Sequence, residues 1–156
     1  MSAAAPAADT AGGTRPARPG DAAAIAALAA EWGYRISAET CAERLDALCT
    51  SPSHAVFVAP ANDDEAALDG WIVIEARVTI GSGAFAEIAG LVVATRARRG
   101  GTGRRLVAAA EHWAFARGLR TVSVHSNVLR DEAHRFYPAL GYSRAKTQHV
   151  YTRTLP

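Results

Sequence analysis

The chain has 156 residues, a length that gives one domain with a single sizeable core, and 49% of its residues are apolar or aromatic. Its 17 basic and 15 acidic side chains nearly cancel, and a formal charge of +2 excludes a strong general pull toward nucleic acid or membrane. No apolar run reaches transmembrane length, and the N-terminus lacks the basic start and apolar block of a signal peptide, so a cytoplasmic protein is expected.

Residues Met1 to Thr14 are mostly Ala, Gly, Ser, Thr and Pro, and read as a disordered leader to one domain over 15–156. Arg15 to Arg18 predicts a short first strand, ended by Pro19-Gly20. Asp21 is a fitting N-cap for a helix with Ile25, Leu28 and Trp32 on one face, and Gly33 stops it. Ser37 caps a second helix, with Cys41, Leu45 and Leu48 on one face, which ends before Pro52. Cys41 and Cys49 on that helix stand roughly 12 Å apart, too far for a disulfide, and read as two small buried hydrophobes in a reducing compartment.

His54 to Ala59 has a buried-strand pattern, and an acidic loop, PANDDEAA, follows. Leu68 to Val78 is a longer strand, Gly81-Ser82-Gly83 a turn, and Ala84 to Ala94 another strand. An Arg/Gly-rich turn then opens a helix carrying Leu106, Val107, Ala110, Trp113 and Ala114, with Gly118 past its end. Thr121 to Ser126 is a short strand. Asp131 to about Tyr137 is a short helix, which Pro138 is expected to end or kink at Tyr137. Gly141-Tyr142 and Gln148 to Leu155 predict a closing hairpin. This order gives an α/β fold, a mixed, mostly antiparallel central sheet with helices on its faces.

The most informative stretch is Arg96 to Arg105, with five arginines and no acid, between a strand and a helix start. The first amides of a helix lack intrahelical partners and carry the positive end of its dipole. Glycine lets the backbone come close to a phosphate. The stretch reads as a pyrophosphate cradle made by the amides of Arg99 to Arg104, with Arg105 beyond the loop and expected to matter much less. It is not a Walker loop, which needs a lysine, nor a dinucleotide fingerprint, since Leu106 stands where the third glycine belongs. As a nucleic-acid patch it lacks interleaved aromatics. The five histidines show no i, i+4 pair, so a metal site is not expected.

Arg98-x-x-Gly101-x-Gly103 resembles the coenzyme A loop of the GCN5-related N-acetyltransferases, the GNAT superfamily. Other segments agree in order: Arg15-Pro16-Ala17 with Asp21, Leu91-Val92-Val93 just before the loop, Asn127 after the next strand, and Ala133-His134-Arg135-Phe136-Tyr137 with Leu140-Gly141-Tyr142. The resemblance spans Arg15 to Leu155. It implies a sheet splayed between the fourth and fifth strands, with acetyl-coenzyme A as co-substrate and no metal. The acetyl group would pass to an amine by direct attack in a ternary complex. By resemblance, Arg98, Arg99, Gly100, Gly101, Thr102, Gly103 and Arg104 hold the diphosphate. Leu91, Val92 and Val93 pair with the pantetheine arm, and Asn127 holds the arm or the chain turn. Tyr137 is the general acid for the departing thiolate. Glu87 is the base, at the same offset before Gly101 as in the family's histone acetyltransferases. A catalytically idle coenzyme A sensor is the alternative. The acceptor, a small-molecule or protein amine, is not legible. Dimerisation is common in the family, and the sequence does not specify it.

Overall fold

The computed structural model describes residues 13–62 and 64–156. The chain divides after His125 into two compact units. The first contains a five-stranded sheet in the order β1-β2-β3-β4-β5. Its strands are β1 (Arg15–Pro16), β2 (His54–Ala61), β3 (Asp64–Thr79), β4 (Gly83–Val93) and β5 (Val122–Val124). Pairing is antiparallel from β1 through β4 and parallel between β4 and β5. The helices of this unit are α1 (Ala22–Glu31), α2 (Ala38–Thr50) and α3 (Thr102–Ala116). The expected mixed, mostly antiparallel α/β sheet is therefore the one observed.

The two sheet faces carry separate sets of apolar residues, as alternation requires. Ile25, Leu28, Cys41 and Leu45 from α1 and α2 pack with Val56, Val58 and Val92. Ile72 and Ile74, the alternate residues of β3, are fully buried, as are Leu106 and Val107 of α3, which lies against β2, β3 and β4. Each such large side chain contributes roughly 1.5–3 kcal/mol. β4 does not keep one alternation. Its register against β3 shifts at Ala89, so that Ile88 faces Ile74 and Gly90 faces Val73. That bulge reverses which residues face α1 and α2. Glu87 lies on their side before it, and Gly90 and Val92 after it. β5 pairs only with Ala86 to Ile88. The outer edge of β4 is thus released at the bulge, the expected splay.

Three helices stop by the same device. Gly33, Gly118 and Gly141 have φ of +86°, +77° and +94°. In each case the following amide returns to a carbonyl five residues back: Tyr34 to Ala29, Leu119 to Ala114, Tyr142 to Tyr137. Ser37 caps α2 as expected, its side chain accepting from the Thr40 amide at 3.1 Å. Cys41 is buried, but Cys49 is exposed, against the expectation that both are core residues.

Other expectations need correcting. Thr14, assigned to the leader, is buried, while 1–12 lie outside the described residues. The acidic segment is not a free loop. β2 runs to Ala61 and β3 begins at Asp64, with Pro60 at a register shift where a strand tolerates proline. In the second unit, α4 (Asp131–Ala139) runs through Pro138 rather than stopping at Tyr137. Proline sits in the last turn, where its ring removes one bond and the amides of Leu140, Gly141 and Tyr142 close the turn behind it. The expected closing hairpin is absent: no strand follows α4 among the described residues. Alternation favours an extended chain, but a strand also needs a paired edge.

Asp21 does not cap α1 through its side chain. Its carboxylate takes both Nη atoms of Arg15 at 2.8 Å, and the Arg18 amide at 2.7 Å. Burial by itself would raise this carboxyl, but the bonds from Arg15 and Arg18 outweigh it and hold it below its ordinary 3.8. A lowered carboxyl stabilises the fold above its unfolded value, and that contribution is lost as pH falls through the folded one. Asp21→Asn is expected to cost about 2 kcal/mol at pH 7. The gap to wild type should close in urea titrations below pH 4. A gap that persists unchanged at low pH would show that the carboxylate charge is not the source.

Candidate functional site

The loop between β4 and α3 is built by backbone conformation. Thr95 to Ala97 form one 3₁₀ turn, and Arg98 is extended. Arg99 then takes φ +65° and Gly101 φ +82°, both left-handed. Glycine adopts this shape freely, while an arginine there is uncommon. Gly101 is the residue before α3, and the first helical bond runs from the Arg105 amide to its carbonyl at 3.0 Å. The amides of Thr102, Gly103 and Arg104 therefore open the helix with no carbonyl of their own turn to bond, the condition for an anion site.

The five arginines divide by task. Arg98, Arg99 and Arg104 are exposed, and the Arg98 guanidinium lies 4.7 Å from the Trp32 ring centre. Arg96 is drawn aside to Asp69 and the Leu68 carbonyl, each at 3.0 Å. Arg105 folds back, donating to the Gly100 carbonyl at 3.2 Å and to Thr102 Oγ1 at 3.1 Å. The end of α1 fastens the other side. Glu31 accepts the Thr95 amide at 2.9 Å and its hydroxyl at 3.0 Å, bonds that hold its carboxyl below the ordinary value. Trp32 Nε1 donates to the Val93 carbonyl at 3.3 Å.

Backbone alternation also settles the edge of β4. The Ala94 amide bonds Asp69 of β3 at 2.8 Å. Two residues back, Val92 turns its peptide groups the same way, so those of Leu91 and Val93 face outward. Beyond Ile88 no strand pairs with that edge among the described residues.

On the α1 and α2 side of the sheet a polar row crosses four strands. His54, Glu75, Glu87 and Ser123 are consecutive cross-strand neighbours. His54 Nδ1 lies 2.7 Å from Ser51 Oγ, and its Nε2 lies 3.1 Å from Glu75 Oε2. Glu75 and Glu87 face each other as like charges, a destabilising pair without a cation. Arg77 supplies it, with Nε 3.6 Å from Glu75 and Nη1 2.9 Å from Glu87 Oε2. Ser123 Oγ lies 3.5 Å from that same oxygen, and His125 Nδ1 is 3.9 Å from Glu87 Oε1.

The second unit holds Asn127 and Tyr137. Asn127 Oδ1 accepts the Leu129 amide at 2.9 Å, shaping the turn before α4. Tyr137 makes edge-on contacts with Phe136 at 5.1 Å and Tyr142 at 5.5 Å. The second contact follows from the Gly141 stop, which turns Tyr142 back onto Tyr137. Burial pushes the Tyr137 phenol above its ordinary value of 10.0.

The sequence profile of the Acetyltransferase (GNAT) family matches residues 22–142. The chain belongs to that family. It is 34% identical over 110 residues to the uncharacterized N-acetyltransferase YhdJ of Bacillus subtilis, covering 70% of this chain and 75% of that one. It is 28% identical over 116 residues to the aminoglycoside N(6')-acetyltransferase type 1 of Serratia marcescens, covering 69% and 75%. Among solved structures, AAC(6')-Iy in complex with the bisubstrate analog CoA-S-monomethyl-acetylneamine superposes with a TM-score of 0.78 at 16% identity, covering 91% and 97%. At that identity the likeness speaks for the GNAT fold.

Several residues that shape this acetyltransferase's loop escaped the sequence reading. A Cβ on Gly70 would stand 2.7 Å from the Val92 carbonyl and 2.9 Å from Leu106 Cδ1, so only glycine lets α3 start against β3 at this point. Gly90 likewise leaves room for the Trp71 ring, 3.0 Å from where its Cβ would be. A glycine inside a strand pattern was the available signal. Arg105 gave no such signal, and its two bonds across the loop set a different expectation from its position beyond the cradle. Arg105→Ala removes two bonds across the loop and is expected to weaken coenzyme A binding about tenfold, ~1.4 kcal/mol. Titration calorimetry measures this, and an unchanged dissociation constant would mean that the loop holds its shape without the clip.

Proposed function

We propose that the chain is an N-acetyltransferase that moves the acetyl group of acetyl-coenzyme A to a primary amine by direct attack in a ternary complex. The observation that carries this reading is a pair of backbone features on one strand-to-helix connection. Acetyl-coenzyme A has an anionic diphosphate and an amide-bearing arm. The left-handed Gly101 before α3 offers open helix amides to the first. The released edge of β4 offers outward peptide groups to the second. Either feature alone occurs in many proteins, and their adjacency is what matches this molecule.

In this reading the diphosphate rests on the amides of Thr102 to Arg104, and Gly100, Gly101 and Gly103 admit it. Arg98, Arg99 and Arg104 add charge around it. The peptide groups of Leu91 and Val93 pair with the pantetheine arm, with Val92 holding the strand to β3, and one of those amides holds the thioester carbonyl. Asn127 shapes the chain toward α4. Tyr137 gives its proton to the departing thiolate, since a phenol still carries that proton at neutral pH when the thiolate forms. The Glu87 row receives the proton that the amine gives up. The proposed acceptor is a small molecule bearing a primary amine. The name of the Serratia relative, an aminoglycoside N(6')-acetyltransferase, supports that class.

Acetyl-coenzyme A at about 100 times its dissociation constant should stabilise the native chain by ~2.7 kcal/mol. Dephospho-coenzyme A should stabilise it less if an arginine reaches the 3′-phosphate. A melting curve unmoved by millimolar acetyl-coenzyme A would sink the proposal.

A further inference from the structure

We propose that His125 takes the proton from the attacking amine, at Nε2, and that Glu87 acts through it as a positioning residue. The inference rests on the acetyl-transfer reading above and names a catalytic residue within it.

The first support is the occupancy of Glu87. Its Oε2 already accepts Arg77 Nη1 at 2.9 Å, with Ser123 Oγ at 3.5 Å. A carboxylate oxygen held by a guanidinium is a poor acceptor for a further proton. The other oxygen, Oε1, faces His125 Nδ1 at 3.9 Å. The second support is reach. The Glu87 side chain is 12% exposed and that of His125 is 67% exposed. A base must come within hydrogen-bond distance of the substrate proton, directly or through one water, and His125 is the member of the pair that solvent and substrate can reach.

The third support is register. β5 runs parallel to β4, with Val124 level with Ile88. His125 follows at the level of Ala89, where the bulge releases the edge of β4. It thus stands just before the outward peptide groups of Leu91 and Val93, at which the thioester is placed. Among the described residues, the charged and polar groups in contact with the pair are Arg77 from β3 and Ser123 from β5, with Glu75 beside Arg77 and His54 of β2 beyond Glu75.

The chemistry follows from which nitrogen meets the carboxylate. At 3.9 Å the pair is an electrostatic contact and not a hydrogen bond, and in the proposed step Nδ1, the nitrogen nearer the carboxylate, carries the hydrogen so that the Nε2 lone pair is the acceptor. The amine nitrogen bonds to the acetyl carbon and passes its proton to Nε2. The carbon–sulfur bond breaks, and the leaving thiolate is protonated. The imidazolium, balanced by Glu87, then releases its proton to solvent, so that one proton is given up for each one taken.

The test compares His125→Gln and Glu87→Gln with wild type, using acetyl-coenzyme A and an amine that wild type acetylates. His125→Gln should lower kcat/KM about 10²-fold at pH 7. Its rate should lose the rising limb of the wild-type profile and climb instead into the range where the amine deprotonates unaided. The melting shift caused by acetyl-coenzyme A should be unchanged. Glu87→Gln should keep the limb and lower the rate less than His125→Gln does, because the base remains and only its positioning is loosened. His125→Gln with the wild-type limb and rate would overturn the inference, as would loss of the limb in Glu87→Gln alone. Wild type that releases no thiol with any amine would overturn the acetyl-transfer reading itself, a different and separately recognisable failure.

Discussion

Gly101→Val is expected to abolish acetyl-coenzyme A binding. The residue sits at φ +82° before the first turn of α3. A β-branched side chain is a genuine outlier at that φ, so valine pulls the backbone toward another conformation and turns the following amides with it. Crowding within the protein is not the cause. A Cβ at this position would lie 3.5 Å from Arg105 Nη1, an ordinary contact. The dissociation constant should rise at least ~100-fold, about 2.7 kcal/mol. The free protein should melt only a few degrees lower, since strain of this kind costs of order 1–3 kcal/mol. Gly101→Asn should retain more binding, because asparagine tolerates left-handed backbone. Titration calorimetry on the three proteins decides it. Binding by Gly101→Val within twofold of wild type would place the diphosphate elsewhere.

Tyr137→Phe carries the second large effect. The substitution removes one hydroxyl and leaves the ring, so the edge-on contacts with Phe136 and Tyr142 survive. Acetyl-coenzyme A affinity should stay nearly unchanged. If the phenol gives the thiolate its proton, kcat falls, by ~10²- to 10⁴-fold for a full general-acid contribution. A thiol is a fairly good leaving group, so a loss near 10²-fold is expected. The descending limb of the pH–rate profile should vanish with the hydroxyl, since burial raises that group and its loss of the proton lies above pH 10. Single-turnover rates keep product release from hiding the effect. An unchanged chemical rate would remove Tyr137 from the mechanism and leave the fold and family where they are.

Much of the first unit was legible because its signals are local. Ser37 caps α2, Gly33 and Gly118 end their helices, and the continuous apolar runs AVFVA and WIVI mark β2 and β3. The Arg98 to Gly103 loop was legible for the same reason, since glycine at Gly101 reports a backbone need directly. What stayed hidden depends on partners far apart in sequence. Glu87 reads as an acid stranded in an apolar strand until Arg77, ten residues earlier, meets it across the β3–β4 hairpin. Asp21 reads as a helix cap, but Arg15 and the Arg18 amide claim its carboxylate. The bulge at Ala89 is silent in an apolar run, so neither the change of face along β4 nor the level of His125 just after β5 can be read from residue types. Pro138 misled by a general rule: its ring removes one bond from α4, but the amides of Leu140, Gly141 and Tyr142 close the turn behind it, so the helix continues to Ala139.

The measurement that tests the central claim most directly is free thiol release from acetyl-coenzyme A across a panel of primary amines, with mass detection of the acetylated product. An N-acetyltransferase built in this way should release thiol only when the amine is present, and at least one small-molecule amine should gain an acetyl group on nitrogen. Gly101→Val should fail to support that release. Binding of acetyl-coenzyme A with no amine-dependent release from any member of the panel, small-molecule or protein, would contradict the claim and leave a coenzyme A-binding protein without transfer.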